Sequence, residues 1–335
     1  KERLEKERLE KERLEKERKI TFISTFDIKC GIATYTMHLM NELNKMFPDS
    51  FRVDPTNEGS LNRHINGRLV HIQHEFGMMP TFPNTKSRVI ITWHTVPSSI
   101  NDTIGLFESK LNVMAHIVHC EGALDYINTK KDVYVINHGS TPIKDIKKED
   151  ARRILCIDDK GINDMPIGFV FGFQNQNKLY GELINTAKNA NIHLIISGSP
   201  HEFGRKVNLS NTKNVTFLGR HLTEEEVDIY ASASDLLLFD YVYQDHYSVS
   251  GAMHRIIGAG RPVICSNTKH FTDVIDKKDV LKFDNQKELV ECIKVALTDS
   301  EKERLGEAAR EYAKRTSWEN VAKRHVEIYR HNIGL

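Results

Sequence analysis

Three stretches of this 335-residue sequence hold residue types that could do chemistry. In "YSVSGAMHRIIGAGRPVI", Tyr247–Ile264, two serines and a glycine stand ahead of a short helical pattern that Gly258 and Gly260 end. Ser248 or Ser250 can cap that helix. Ala252, Met253, Ile256 and Ile257 give it one apolar face. A helix start presents free backbone N–H groups and the positive end of the dipole, so it suits an anion, and Gly251 lets a ligand approach the backbone closely. A capped core helix explains the apolar face but gives no reason for Ser-Val-Ser-Gly. In "GFQNQNK", Lys178 is expected to open a helix after a β-type run, where an ammonium and free N–H groups suit a phosphate. Gly-Lys-Ser/Thr is absent, so this is not a Walker loop; a solvated surface lysine is the plain alternative. In "HIQHEFG", His71, His74 and Glu75 end another run. Side chains alternate along a strand, so His71 and Ile72 face opposite ways. His74 and Glu75 then fall at the rim as hydrogen bonders or acid–base groups, unless they are merely a satisfied polar strand end. The spacing does not suit zinc.

These stretches need elements to position them. From Lys19 onward, short apolar runs alternate with helical patterns. "KITFIST", "LVHIQHEF", "RVIITWHTV", "HIVHC" and "VYVINHG" come first; "IGFVFGF", "IHLIISG", "VTFLG", "DLLLFDY" and "PVICS" follow. Thr34–Met46, Lys178–Ala190 and Glu224–Ala233 are among the helical segments. The alternation predicts parallel sheets wound on both faces, in two Rossmann-like domains. The polar stretch Asp158–Pro166 is the expected boundary. The expected division is a leader over 1–18, a first domain over 19–160, a second over 161–316, and a closing helix over 317–335. Ligands of open α/β sheets sit past the carboxyl ends of strands. Those ends include "FDIKCGIATYT", "HEFGMMP", "HTVPSS", "HGSTP", "SGSPHEFG", "GRHLTEEE" and "DHYSVSG", and two domains facing each other across them would form a cleft. "CGIATYT" opens a helix with Gly31; it is not Gly-x-Gly-x-x-Gly, so a ligand loop and a plain βα turn stay equally open.

Charged residues make up 28% and hydrophobic ones 39%, enough for a sizeable core. The net charge is +1: residues 1–18 carry 8 basic and 7 acidic groups, and the remainder is 39 against 39, which gives no nucleic-acid footprint. The repeat "KERLEKERLEKERLEKER" places Leu4, Leu9 and Leu14 about 140° apart around a helix, so it makes no seam. It reads as an artificial helical leader without a catalytic role, and a partner-binding helix is the alternative. Five cysteines without a Cys-x-x-Cys pair suggest buried thiols in a reducing compartment. No run approaches the ~20 apolar residues of a membrane span, and no signal peptide is evident, so a cytoplasmic location is expected.

In order, the motifs resemble those of retaining glycosyltransferases of family 4, which have the two-domain GT-B fold. The resemblance runs from Lys19 to the C-terminus. It is carried by Cys30–Thr36 "CGIATYT", Gln73–Gly77 "QHEFG", His94–Val96 "HTV", His138–Gly139 "HG", Ser250–Arg261 and the ending "TSWENVAKRHVEIY". That ending is similar to the family's closing helix, which crosses back onto the first domain. The resemblance implies a nucleoside-diphosphate sugar as donor. The helix near Gly251 would hold the diphosphate, with Lys178 as the phosphate-binding lysine and Gly31 and Ile32 beside the phosphates. Gly219, Arg220 and His221 would lie near the nucleobase. His74 would contact the donor sugar, with Glu75 beside it; His74, Glu75 and Lys178 are the expected catalytic residues. His94, His138, Gly172, Gly198, Tyr247, Ser248, Ser250, Ala252 and Arg255 complete the expected donor site.

The sequence also departs from the family. Tyr247 and Arg255 stand where many members have two Glu eight residues apart, and Phe173 stands where an arginine commonly precedes the lysine. Asp245 or Arg255 would have to serve the ribose. The resemblance implies transfer with retention to an unidentified saccharide, lipid-linked or protein acceptor. No Asp-x-Asp occurs, so neither a metal nor any cofactor beyond the donor is expected. Peripheral membrane contact is left open. The alternatives are a catalytically weak protein that binds nucleotide sugars or a partner, an epimerase, and a nucleic-acid glucosyltransferase.

Overall fold

The computed structural model describes Glu5 and residues 19–56, 65, 67–76, 83–143, 146–157, 162, 165–174, 178–198, 211 and 213–333. Beyond Glu5 the expected leader helix lies outside the described residues, as do Gly77–Pro80, most of Asp158–Pro166, residues 175–177 and the "SPHEFG" loop. The chain forms two compact units, Lys1–Asn137 with Asp245–Val249 and Trp318–Leu335, and His138–Gln244 with Ser250–Ser317.

In the first unit the elements are β1 (Ile20–Ser24), α1 (Gly31–Met46), β2 (Phe51–Pro55), β3 (Leu69–His74), β4 (Arg88–Trp93), β5 (Thr95–Pro97), α2 (Ile100–Lys110), β6 (Asn112–Val118) and β7 (Asp132–Val135). Six strands make a parallel sheet in the order β2-β1-β3-β4-β6-β7. Period-2 alternation sorts its side chains. Ile20, Phe22, Ile90 and Ile117 join one apolar cluster, and Ile23, Val70, Ile72, Ile91 and Val118 join another.

The second unit begins with α3 (Lys148–Ile154) and continues with β8 (Ile167–Val170), α4 (Tyr180–Ala190), β9 (His193–Ile196), β10 (Val215–Phe217), α5 (Glu224–Ala233) and β11 (Leu236–Phe239). The chain then contributes β12 (His246–Ser248), which pairs antiparallel with β5 inside the first unit. It resumes the second unit with α6 (Gly251–Ile256), β13 (Val263–Ser266), β14 (Leu281–Phe283), α7 (Gln286–Ala296) and α8 (Asp299–Arg315). The parallel order here is β10-β9-β8-β11-β13-β14. The last helix, α9 (Trp318–Ile333), belongs to the first unit, where Trp318 meets Tyr35 edge-on at 5.0 Å.

The expected α/β architecture of two parallel sheets is present, but the division between units falls at Asn137–His138 rather than near residue 160. The polar residues that read as a linker are paired. Lys148 and Arg152 bind the buried Asp235 at 2.9 and 2.6 Å, and Asp235 also accepts the N–H of Ile167. α3 is therefore bound into the second unit. The thiols are also not uniformly buried: Cys30, Cys120 and Cys265 are, whereas Cys156 is exposed and Cys292 half-buried. Among the described residues no helix is long and apolar enough to cross a membrane.

Candidate functional site

The second sheet reverses its winding between β8 and β11, and open α/β sheets bind ligands beyond the strand ends at such a point. Phe171–Gln174 leaves β8 there, and Asp240–Tyr241 leaves β11. Lys178 joins these exits through an isolated bridge with Tyr241, while the N–H of Leu179 donates to the Asp240 carbonyl at 3.0 Å. Lys178 therefore does not open the helix, as the sequence suggested; α4 begins at Tyr180 because the preceding backbone is hydrogen-bonded to the exit of β11.

Nor is Lys178 a surface lysine, since only 7% of it is exposed. Its ammonium donates to the Phe171 carbonyl at 3.1 Å and lies 5.7 Å from the centre of the Tyr241 ring. Burial, with no charged neighbour offsetting it, pulls its pKa down to about 7. Buried charges are ordinarily paired. Among the described residues no carboxylate forms an ion pair with this one.

Two glycines allow this crowding. Gly172 has φ +111°, and a Cβ there would lie 2.7 Å from Lys178 Nζ and 2.8 Å from Ala252 Cβ. A Cβ on Gly198 would lie 2.7 Å from the Gly172 carbonyl oxygen. Gly172→Ala should therefore cost about 1–3 kcal/mol of stability and displace the ammonium. Thermal unfolding with a diphosphate titration checks this; unchanged stability and binding would show that the glycine does not hold the lysine in place.

Ser250, not Ser248, caps α6, its Oγ accepting the Met253 N–H at 3.3 Å. Tyr241 Oη lies 3.2 Å from the same Oγ. His138 Nδ1 pairs with the Gly139 carbonyl at 2.8 Å, and a Cβ on Gly251 would lie 3.3 Å from its Nε2. The second unit thus gathers His138, Gly172, Lys178, Gly198, Ser250, Gly251 and Ala252.

Other expected donor residues are bound by partners of their own. Tyr247 and Ser248 lie on β12 in the first unit, where the Tyr247 ring covers Gly122 and meets Tyr126 edge-on at 5.1 Å. Arg255 is bound to α5, donating to Glu224 at 2.6 Å and to Asp228 at 2.8 Å. Asp245 accepts the Tyr126 hydroxyl at 2.7 Å. Both residues expected to serve a ribose are therefore hydrogen-bonded within the protein. Gly219, with φ +62°, turns the chain into the α5 capping box. Arg220 there forms a two-pronged pair with Glu226 at 2.6 and 2.9 Å, and His221 is exposed.

Asp240 and Tyr241 were missed by sequence reasoning, which read "DLLLFDY" as one strand; the polar pair ending that run was the available signal. Burial, and then the Glu182 charge, push Asp240 up to about 6, although Gln286 donates to it at 2.9 Å.

In the first unit the winding reverses between β1 and β3. Gly31 opens α1 and Ile32 follows; a Cβ on Gly31 would meet nothing within 4 Å, so no tight turn demands the glycine. The expected open position of His74 is not observed. The alternation of β3 turns it inward, 4% exposed, with its ring 4.6 Å from that of Trp93, 5.0 Å from Phe76 and 5.2 Å from Phe107. Burial lowers its pKa to about 4, and Nδ1 has no hydrogen-bond partner among the described residues. Neutral His74 cannot serve as a cationic acid near pH 7. Glu75 is half-buried, accepts from Thr95 Oγ1 at 2.8 Å, and has its pKa raised by burial. Behind them runs a buried chain: Tyr329 Oη to His71 Nδ1 at 2.6 Å, Gln73 to His94 Nε2 at 2.9 Å, His94 Nδ1 to His119 Nε2 at 3.3 Å, and His119 Nδ1 to the Ile136 carbonyl at 2.9 Å. His94 is thus held within the unit by two partners.

Residues 174–299 match the family model "Glycosyl transferases group 1". A comparison with curated protein sequences gives no significant match. Among solved structures, sucrose-phosphate synthase from Thermosynechococcus elongatus is similar with a TM-score of 0.70 at 16% identity, over 95% of this chain and 99% of that one. HepE of Anabaena in complex with UDP and glucose has a TM-score of 0.65 at 12% identity, over 93% and 99%. A glycosyltransferase from Rickettsia africae has 0.64 at 12%, over 93% and 98%. These likenesses show the GT-B fold.

Proposed function

We propose that this chain is a glycosyltransferase that uses a nucleoside-diphosphate sugar and retains the anomeric configuration. One observation carries the reading: Lys178 is a buried ammonium with no ion-pair partner among the described residues, at the winding reversal of the second sheet. A ligand diphosphate supplies the missing anion. The group 1 match includes Lys178, and the Anabaena structure contains UDP. As the sugar departs, negative charge grows on the diphosphate, and a fixed ammonium in a dry site stabilises that charge where it develops. In the first unit, the raised pKa of Glu75 makes it the acid–base candidate, while His74 can offer only neutral hydrogen bonding. Retention and a cytoplasmic location are parts of this proposal.

A second reading has its own support. The two positions that would carry carboxylates hold Tyr247, which covers Gly122, and Arg255, which is bound to α5. A protein that binds nucleotide sugars without fast turnover fits that arrangement. Turnover of labelled UDP-sugars with an acceptor extract separates the two.

Donor binding should survive chelation, because among the described residues no carboxylate forms an ion pair with Lys178 and none belongs to a cation-holding cluster. No cluster of three or more metal-ligating groups occurs among the described residues. Calorimetry with and without EDTA checks it; loss of binding that magnesium or manganese restores would refute metal-independent binding.

A further inference from the structure

Beneath the α6 start lies a pair of buried charges with no part in the reading above. The side chains of His254 and Asp273 are completely buried, with His254 Nε2 3.0 Å from Asp273 Oδ2. The second nitrogen, Nδ1, lies 3.0 Å from the Ser250 carbonyl oxygen. Tyr312 Oη is 3.2 Å from Nε2, but its single proton goes to Asp273 Oδ2 at 2.7 Å, so toward His254 it offers only lone pairs. Both ring nitrogens therefore face acceptors. A neutral imidazole has one N–H and would oppose a lone pair to one of them. The other groups around the ring do not change this. The His138 ring lies tilted against it at 4.8 Å, and Arg315, which pairs with Asp279, lies over the Tyr312 ring. Asp273 Oδ1 has no partner among the described residues, so donors converge on Oδ2 alone.

We propose that His254 is a doubly protonated positioning residue, held by Asp273, which fixes the Ser250–Gly251 turn beside Lys178; the positioning role rests on the diphosphate reading. Each polar group of Ser250 is bound. Its N–H donates to the His270 carbonyl, its carbonyl accepts the N–H and Nδ1–H of His254, and its Oγ accepts from Met253 and contacts Tyr241. Tyr241 is the ring beneath the Lys178 ammonium. Lysine, Tyr241, Ser250 and His254 thus form one connected set, and a shift of His254 moves the wall of the phosphate site. The imidazolium donates two charge-assisted hydrogen bonds, stronger and more directional than a neutral ring would give.

The test has two parts. In ¹⁵N-histidine-labelled free protein at neutral pH, one histidine should show two directly bonded ring N–H signals protected from exchange. Those signals should vanish in His254→Gln, and one should vanish in Asp273→Asn. A His254 ring with a single N–H overturns the proposal whether or not any nucleotide binds. In calorimetry, Asp273→Asn should weaken binding of uridine diphosphate about 10-fold and leave uridine unchanged, while Tyr312→Phe, which keeps the pair, should lose less than about 3-fold. Equal losses for uridine and its diphosphate, or none for either, would remove the positioning role. Failure of the unaltered protein to bind uridine diphosphate would instead defeat the diphosphate reading, with the ring protons still decided by NMR.

Discussion

Lys178→Met should make the free protein more stable and at the same time abolish its turnover. The buried ammonium has an ordinary pKa of 10.5 and a folded one of about 7. That difference corresponds to roughly 5 kcal/mol of instability below pH 7. Methionine keeps the aliphatic stem and removes the charge, so the melting temperature should rise by about 5 °C or more. The sign with pH is also fixed. Between pH 7 and about 10 the unfolded chain holds this proton and the folded chain does not, so stability of the unaltered protein should climb with pH across that window and the variant should lose this slope. Ligand behaviour should move the other way. Diphosphate affinity should fall about 10- to 100-fold, as for a lost charge-assisted contact, and turnover by about 10³-fold, because the lysine acts on charge that grows in the transition state. A variant that loses both stability and binding would make Lys178 a structural residue.

Acid should unfold the first unit well before carboxylate titration alone would do so. Four of its histidines, His71, His74, His94 and His325, are held neutral by burial. Burial lowers His74 and His325 to about 4, and holds His71 and His94 well below the ordinary 6.5, with like charges from His325 and from His119 respectively adding to the effect. A depressed histidine pKa means that the unfolded chain takes up protons first. The stability contributed by neutrality is complete above pH 6.5 and is lost as pH falls toward 4. His74 and His325, at about 4, account for roughly 3 kcal/mol each, together comparable with the stability of an ordinary domain, and His71 and His94 act in the same direction. Fluorescence of Trp93 and Trp318, both in this unit, should report a transition between pH 6 and 4. His325→Phe should shift it to lower pH. A midpoint of chemical unfolding that stays constant from pH 7 to 5 would contradict this.

Much of this architecture was legible in the sequence, because strands buried on both faces appear as short apolar runs and the rule for strand ends marks their exits. Gly172, Lys178, Ser250 and Gly251 lie in the exit segments that this rule marks, and the second unit brings them together. The strands with little apolar signal were not: "FRVDP" and "LKF" became β2 and β14, and "HYS" paired with β5, more than 140 residues away. Inward and outward positions at a strand end were also ambiguous. His74 was expected at an open rim, but alternation along β3 aims it at Trp93. The partners of Arg255 and of Lys148 come from helices far off in the chain, so spacing could not reveal that these charges are paired. Lys178 is the converse case, a lysine that resembles any surface lysine in sequence and whose burial becomes visible only in the fold.

The central claim is that Lys178 awaits an anion and becomes fully charged when one arrives. Calorimetric titration of uridine diphosphate at pH 8, in two buffers of different ionisation enthalpy, tests it directly. With a free pKa of about 7 the lysine is mostly neutral at that pH, and the bound diphosphate restores its proton. Binding should therefore take up close to one proton per chain, and Lys178→Met should remove that uptake along with most of the affinity. Binding with no proton uptake, or uptake that persists in Lys178→Met, would contradict the assignment of the diphosphate to this lysine.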